Sequence, residues 1–203
     1  MKSKKILMLF VVFVVLVLPV HSLKTQVNQT VKIDDFREDN YLIAGGNVNL
    51  SNSLNGDLIA LSGNLNSRAD VSGNSYVVSG RPVISGDLAG DLVLVSGDAT
   101  IDSNVYGNVI ALTGNIYVSD NSSIKGDLIV LGGAAVLNGS VDGDVYARGG
   151  MLLINDKVQG DVDVSAGDFR LGHDAFINGN ITYKSDAGKK INKSQVGGSV
   201  TYL

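Results

Sequence analysis

The sequence predicts an all-β fold, a single-stranded β-helix (β-solenoid) of about nine triangular coils stacked along one axis. Three observations support it: a 17-residue repeat marked by glycines, short aliphatic runs between those glycines, and extra residues that fall mostly at one place in the repeat. Repeats of this length are typical of solenoids, whose units pair only with their neighbours.

Two series of glycines, which recur at a fixed offset from each other, define the repeat. Successive leading glycines are 17 residues apart, except for three steps of 19, and most are followed by Asp or Asn. A second glycine follows most of them seven residues later. The leading series is Gly56, Gly73, Gly90, Gly107, Gly126, Gly143, Gly160, Gly179 and Gly198, and the second is Gly46, Gly63, Gly80, Gly97, Gly114, Gly133, Gly150 and Gly167. Nine units fit between Asp39 and Gly197.

Each unit holds three pieces of extended chain. Four aliphatic residues such as 58–61 follow the leading glycine and are too few for a helix. An alternating piece such as 99–101 follows the second glycine, then a polar corner such as 102–104, then one apolar residue. Three short strands and three turns would form one triangular coil, so nine coils make a rod of roughly 43 Å at the usual strand spacing.

Extra residues in two long units fall in the polar corner, at 120–123 and 173–176. Corners tolerate added length, whereas strands stacked in register do not. The long unit that starts at Gly179 lacks the second glycine, so its insertion cannot be placed from sequence.

Side-chain alternation predicts which residues face the core. With the leading glycine as position 1, positions 3 and 5 are mostly apolar throughout and should point inward, as in Leu92 and Leu94. Positions 4 and 6 should then point outward, yet they too are apolar in the first units and turn polar in the last. We call these outward residues the apolar stripe: Ile59, Leu61, Tyr76, Val78, Val93, Val95, Ile110, Leu112, Ile129 and Leu131.

The apolar stripe is larger than a soluble monomer usually exposes, so we expect a surface for self-association or for a partner there. Two alternatives stay open at this stage. The segment 23–38 would fold over the stripe as a cap, or the inward and outward positions are reversed on this side. A further self-association surface is expected at Val200 and Tyr202, where a short strand enters a new coil without a charged cap.

The recurring Gly-Asp-Leu or Gly-Asp-Val strings, each leading an aliphatic strand with a glycine seven residues on, resemble the bactofilins, a bacterial family of polymer-forming cytoskeletal proteins. The strings begin at Gly56, Gly90, Gly126, Gly143 and Gly160. The resemblance covers about 39–203 and implies a right-handed β-helix that assembles end to end without a nucleotide. It implies no catalytic residues. Typical bactofilins look cytoplasmic, and this chain departs from that pattern because its N-terminus resembles an export signal.

That signal has three parts: a lysine-rich start, the apolar run 6–18, and Val20 and Ser22 at the two positions that a signal peptidase reads before a cleavage point after Ser22. We therefore expect a signal peptide at 1–22, an N-terminal segment at 23–38 and a β-helix domain at 39–203. The protein is expected to be exported to the cell envelope or secreted, and anchored if the signal stays uncleaved.

The sequence offers little chemistry. Asp and Asn residues after the leading glycines form a ladder in which Asp127, Asp144 and Asp161 would lie about 4.8 Å apart, and a divalent cation could bridge them. Turn chemistry explains the same residues without a metal. His173 lies beside Asp174 in an inserted corner, and no serine lies in a nucleophile elbow. We expect no catalytic residue, cofactor or metal site.

The leading functional hypothesis is a non-enzymatic, exported scaffold of the cell envelope whose main partner is itself, in an end-to-end or lateral polymer. The alternative is a passive binding module, or adhesin-like stalk, that holds a polysaccharide or a partner protein. A cell-wall polymer or membrane surface is a further candidate partner, and a polysaccharide-acting or acyl-transferring enzyme is a third class. The net charge of −4, with no basic stripe, argues against nucleic acid. The absence of cysteine excludes disulfides and thiolate metal sites.

Overall fold

The computed structural model describes residues 23–33, 39–186 and 191–203, and in these the chain is almost entirely β-strand. The predicted signal peptide, 1–22, lies outside the described residues. The strands are β1 (Leu23–Val27), β2 (Thr30–Ile33), β3 (Asn40–Leu50), β4 (Leu58–Ser67), β5 (Ser75–Ile84), β6 (Leu92–Ile101), β7 (Asn104–Val105), β8 (Val109–Val118), β9 (Ser123–Ile124), β10 (Leu128–Leu137), β11 (Ser140–Val141), β12 (Val145–Ile154), β13 (Lys157–Val158), β14 (Val162–Leu171), β15 (Phe176–Ile177), β16 (Ile181–Ser185) and β17 (Val200–Tyr202). A single 3-10 turn lies at Lys193–Gln195.

The strands stack in parallel into a β-solenoid of about ten turns, which confirms the predicted fold class. The long strands form one stack in the order β1-β3-β4-β5-β6-β8-β10-β12-β14-β16-β17, and the two-residue strands form a second stack along another side. Each residue pairs with its equivalent one repeat away, as Leu92 does with Val109. The prediction of about nine coils is slightly low, because the short N-terminal strands add a turn.

Each full coil contains one long strand and, on another side, either a two-residue strand or a single bridging residue, where the sequence predicted three short strands. In β6 the buried residues are the first, third, eighth and tenth. The inward-facing residues therefore change from odd to even positions at the glycine in the middle of the strand. Strand pairing also skips this glycine, passing from Ser96 to Asp98 in the β6–β8 pair. A phase change means that the strand turns a corner there, since successive side chains otherwise alternate strictly. The second glycine series therefore marks a bend within a hydrogen-bonded strand.

The core is a set of aliphatic columns inside the coils, as predicted. Positions 3 and 5 are buried along the rod: Leu92, Leu94, Val109 and Ala111 are each no more than 1% exposed. The reversed assignment of inward and outward positions is therefore wrong for this side. The column at position 16 continues the core on the third side, where Leu54, Val71, Leu88 and Val105 pair in sequence.

Insertions occupy the predicted corner. Turns lie at 120–121 and 173–174, between the end of a long strand and the short strand that follows. The third insertion lies between Ser185 and Val196, because the pairs Ala166↔Ser185 and Ile177↔Val196 leave the same number of residues between them in both coils. At 120–121 and 173–174 the added length falls outside the long hydrogen-bonded strands.

The segment predicted as a possible cap, 23–38, is described at 23–33, where it forms β1 and β2. Both pair in parallel with β3, so they extend the stack by one layer and do not cover the apolar stripe. Nothing in the described ranges 23–33, 39–186 and 191–203 is a helix long and apolar enough to span a membrane.

Candidate interaction surfaces

Side chains of the residues after the leading glycines form a continuous hydrogen-bonded ladder along the rod, the Asp/Asn ladder. In each coil the Oδ1 atom accepts a hydrogen bond from the backbone N–H of the equivalent residue one coil further on. Asp57 Oδ1 accepts from Asn74 N at 2.7 Å, and Asn74 Oδ1 accepts from Asp91 N at 2.9 Å. The ladder consists of Asn40, Asp57, Asn74, Asp91, Asn108, Asp127, Asp144, Asp161 and Asn180, and ends on Ser199 N.

This geometry supports the turn interpretation of the acidic residues and refines it. At Asp127 and Asp144 the Oδ1 atom accepts a backbone N–H at 2.8 and 2.7 Å, so these oxygens are already engaged. The donor belongs to the next coil, not to the same turn, and the side chains therefore tie neighbouring coils together. Among the residues that the structure describes, no group of three or more acidic, histidine or cysteine side chains could hold a metal ion.

The leading glycines are required by close approach between coils. A Cβ atom on Gly90 would lie 2.6 Å from the carbonyl oxygen of Gly73 and 2.6 Å from Asn74 Oδ1. The second glycine series is equally tight, since a Cβ on Gly80 would lie 2.6 Å from Gly63 O. The glycines thus let the backbone and the ladder side chain of one coil rest directly on the next.

The Asp/Asn ladder borders the apolar stripe on one side. Tyr146, which continues the stripe one coil further, donates a hydrogen bond from its hydroxyl to Asp144 Oδ2 at 3.1 Å. That hydrogen bond, and then the charge of Asp144, raise the pKa of Tyr146 above its ordinary value. Within the stripe, partial burial and then the charges of Asp57 and Asp91 raise the pKa of Tyr76. Acidic ladder residues and stripe residues are therefore adjacent columns.

The structure places most of the predicted surface residues on the outer face of the long-strand stack. Leu61 is 41% exposed, Ile110 39% and Leu131 45%. Val93, Val95, Leu112 and Ile129 are half-buried by their neighbours in the columns. Ile59 is the exception: it is only 8% exposed, and its strand partners on either side are Leu42 and Tyr76. The prediction that Ile59 is a surface residue is therefore wrong, whereas the rest of the stripe does face outward.

The stripe ends where charged side chains replace it. At position 6 the column passes from Leu131 to Arg148, whose guanidinium forms an ion pair with Asp163 at 2.9 Å. On the side away from the ladder, the stripe is bounded by polar residues at position 9, just past the corner glycine. This amide corner consists of Asn47, Asn64, Arg81, Asp98 and Asn115, all exposed.

A second outward-facing apolar column was not predicted from the sequence. It lies at position 11, past the corner glycine, and includes Val83, which is 39% exposed, and Tyr117, which is 43% exposed. Val136 and Leu153 continue it in later coils and are half-buried. The signal is present in the repeat, since position 11 is apolar in four units, but the sequence prediction of outward apolar residues covers only positions 4 and 6.

Val200 and Tyr202 occupy the inward positions of the last turn, so they belong to the end of the core and not to the stripe. The same positions one turn earlier hold Ile181 and Tyr183, which are 0% and 2% exposed. Tyr202 is 37% exposed, because no strand within the described part of the chain lies beyond β17. The C-terminal end of the rod therefore presents apolar core residues to solvent.

Aromatic rings close this end of the core. The Tyr202 ring meets the Tyr183 ring edge to face at 5.1 Å and 74°, and Tyr183 meets Phe169 at 5.5 Å and 61°. The Tyr202 hydroxyl donates to the backbone oxygen of Ser185 at 3.0 Å. Tyr202 is thus held in place at the end of a short aromatic column that runs from the core to the end of the rod.

The N-terminal end is more polar. The inward positions of β1 hold Lys24 and Gln26, which pair with Tyr41 and Ile43 of β3. The Lys24 ammonium forms an ion pair with Asp39. Burying this end against an apolar surface would desolvate a charged pair, which is costly.

The third side of the coil carries a shallow groove of about 440 Å³. Small residues such as Ser72 and Ala89 form its floor, Asp70 and Asp87 line it, and Tyr106 closes one end with 55% of its surface exposed. The side chain of His173 is 99% exposed, and its only described partner is Asp174 at 4.0 Å.

Together these surfaces define a β-solenoid rod with one apolar face, one apolar end and one polar end. Residues 84–182 match the family model described as Bactofilin, polymer-forming cytoskeletal, which covers just under half of the chain. The predicted resemblance is thereby confirmed over these residues, where the chain is similar to a family of polymer-forming cytoskeletal proteins. No curated protein and no solved structure matches the chain.

Proposed function

We propose that this protein is a non-enzymatic scaffold of the cell envelope that is exported and then assembles with copies of itself, end to end. The observation that carries the proposal is the apolar C-terminal end of the described rod, where Val200 and Tyr202 stand at core positions and no described strand lies over them. Strand edges with unpaired backbone groups favour pairing with another chain. The bactofilin domain supports self-association, because its family forms polymers.

The difference between the two ends favours contact between C-terminal ends. Two C-terminal ends bury Tyr202 and Val200 against each other and remove apolar surface from water. A head-to-tail contact would instead place these residues on Lys24 and Gln26 and desolvate the ion pair with Asp39. The dimer joined at its C-terminal ends is therefore the smallest stable species of the polymer.

Light scattering on a matched pair of variants tests this contact. Val200→Lys places a charge on the C-terminal end, whereas Val27→Lys places one on β1 at a residue that is 65% exposed. We expect Val200→Lys to give monomers at concentrations where Val27→Lys and the unchanged protein give dimers or larger species. Equal dimerisation of both variants, with unchanged thermal unfolding, would rule out the C-terminal contact.

Export rests on the N-terminal sequence alone. A secretory signal is supported by the lysine-rich start, by the apolar run 6–18 and by Val20 and Ser22 before Leu23. N-terminal sequencing of the protein from its native cell, after separation of cytoplasm and envelope, is the test. We expect the chain in the envelope or medium to begin at Leu23. A cytoplasmic chain that begins at Met1 would contradict export.

A passive binding module is the second candidate, and the groove beside Tyr106 favours it. An exposed aromatic ring next to Asp70 and Asp87 is suited to sugar rings and their hydroxyl groups. Co-sedimentation with insoluble cell-wall glycan separates this candidate from the scaffold. Binding that is lost in Tyr106→Ala, from a protein that does not polymerise, would favour the binding module.

A further inference from the structure

We propose that the apolar stripe is the lateral contact between two rods, with a second copy of this chain as its occupant and the two rod axes parallel. This inference rests on the proposed function, since it adds side-by-side pairing to end-to-end assembly. It concerns the outer face of the long-strand stack, between the Asp/Asn ladder and the amide corner.

The stripe has the shape of a flat contact plate. Its residues lie in two straight columns, because every coil pairs in register with the next. Leu61, Val78, Ile110 and Leu131 are each between 39% and 45% exposed, and they are spread over the height of the stripe. A plate of this kind on a soluble protein marks an interaction surface, and a second flat β-sheet face fits it.

Charges at the two edges decide how the second copy is oriented. The ladder edge carries the acidic residues Asp57, Asp91 and Asp127. The amide corner carries Arg81 and Asp98, so its formal charge sums to zero, and Asp98 accepts a hydrogen bond from Asn115 at 2.6 Å.

The two face-to-face symmetries differ in how many acidic residues they bring face to face. A two-fold axis parallel to the rods places the ladder of each copy opposite the amide corner of the other. Arg81 then stands level with Asn74 of the second copy, between the carboxylates of Asp57 and Asp91. Each edge brings together one acidic pair, Asp98 with Asp91, and Arg81 lies one coil away from it in the same column. A two-fold axis along the strands would place ladder against ladder, and like charges face to face are repulsive. The charges therefore select parallel rods.

The small area of the stripe predicts that two single rods pair weakly, whereas the contacts between two polymers add up along their length. The stripe spans five coils, so it is roughly 24 Å tall and about 20 Å wide at ordinary strand spacings, or about 480 Å² in outline. A standard stable interface buries about 800 Å² on each partner. Lateral pairing should therefore depend on end-to-end assembly, which presents several stripes at once and raises their effective concentration.

The chain contains no cysteine, so single engineered cysteines give a clean cross-linking test. In parallel rods Leu61 lies level with Leu61 of the second copy, whereas in antiparallel rods it lies level with Leu131. Four coils separate the two residues, roughly 19 Å along the rod. The full chain carrying Leu61→Cys and the full chain carrying Leu131→Cys are each treated with a short bis-maleimide, first separately and then as a mixture of the two variants. Tyr106→Cys, on the third side of the coil, is the control.

We expect covalent dimers of Leu61→Cys alone and of Leu131→Cys alone, and none of Tyr106→Cys. Dimers that form only in the mixture would overturn the parallel arrangement. An absence of dimers in all samples, under conditions where filaments are seen, would overturn lateral pairing while leaving end-to-end assembly intact. Cross-linking without filaments would contradict the proposed function and leave the lateral contact standing.

A matched pair of lysine substitutions gives a second readout. Val78 in the stripe and Val83 past the corner are both 39% exposed, so neither substitution opens the core. In the Leu61→Cys background, Val78→Lys should lower the yield of covalent dimer about tenfold, because it buries an unpaired ammonium in the contact. Val83→Lys should leave the yield unchanged. Equal yields from the two variants would overturn the stripe as the contact.

Discussion

The Oδ1 atom of Asp91 accepts a hydrogen bond from the backbone N–H of Asn108 at 2.7 Å, one full coil along the rod. The same bond recurs from Asn40 to Ser199, so the residue after each leading glycine holds its coil to the next one. The repeat that is most visible in the sequence therefore specifies the stacking of the rod.

Replacing Asp91 by alanine removes the acceptor of the Asn108 N–H and of the Asn108 side-chain amide. We expect the free energy of unfolding to fall by about 1–2 kcal/mol, since a half-buried donor loses its partner. Asp91→Asn should cost less, because asparagine serves as the acceptor at positions 74 and 108. Urea unfolding measures both, and Asp102→Ala, an exposed residue outside the ladder, should change the free energy by less than about 0.5 kcal/mol.

Gly90→Ala should destabilise the rod more than the ladder substitution does. The new Cβ would lie 2.6 Å from Gly73 O, so the backbone of one coil must move away from the next. Overpacking of this kind costs about 1–3 kcal/mol or more. Gly46→Ala is the matched control, since its Cβ would lie 3.1 Å from the nearest atom, Gln29 O. Thermal unfolding that gives equal losses for both variants would contradict the close-approach explanation.

Added length should be tolerated only at the corner. Two residues inserted after Asp102 copy the natural insertions at 120–121 and 173–174, and we expect the far-ultraviolet circular dichroism and the melting temperature to change little. One residue inserted between Leu94 and Val95 shifts every later side chain of that strand to the opposite face. That variant should lose its cooperative unfolding transition. A cooperative transition retained in it would contradict the register.

Tyr146 should ionise at a higher pH than an ordinary tyrosine, because its hydroxyl donates to Asp144 and because of that carboxylate's charge. A pKa raised by folding means that the stabilising contribution is present below about pH 10 and is lost as the pH rises through the pKa of the folded protein. Asp144→Asn removes the charge and keeps a ladder acceptor, so the pKa of Tyr146 should fall. Ultraviolet titration against Tyr146→Phe isolates the signal, and an unchanged pKa in Asp144→Asn would contradict the contact.

The sequence was sufficient to predict the solenoid, the inward columns and the corner that accepts insertions, because each follows from a strict period. It was insufficient for the strand that continues through Gly97, since a glycine bend and a strand break give the same pattern. Ile59 shows a second limit. An outward residue is buried when its neighbours in the same column, Leu42 and Tyr76, are large, and that packing across coils is not visible in the alternation of one strand.

The two ends were harder to predict than the middle. The sequence predicts a self-association surface at Val200 and Tyr202, but their place at core positions of the last turn depends on strand register and on the absence of a turn over β17 within the described residues. The polar inward residues of β1, Lys24 and Gln26, fall outside the glycine repeat, so nothing in its period marks them as part of the stack.

Negative-stain electron microscopy of the purified full chain tests the central claim, that this rod polymerises through its ends, most directly. The account predicts unbranched filaments without added nucleotide or metal, with images of Val200→Lys showing only short single particles. If the unchanged protein and Val27→Lys are folded and still give only single rods at every concentration, the claim is contradicted.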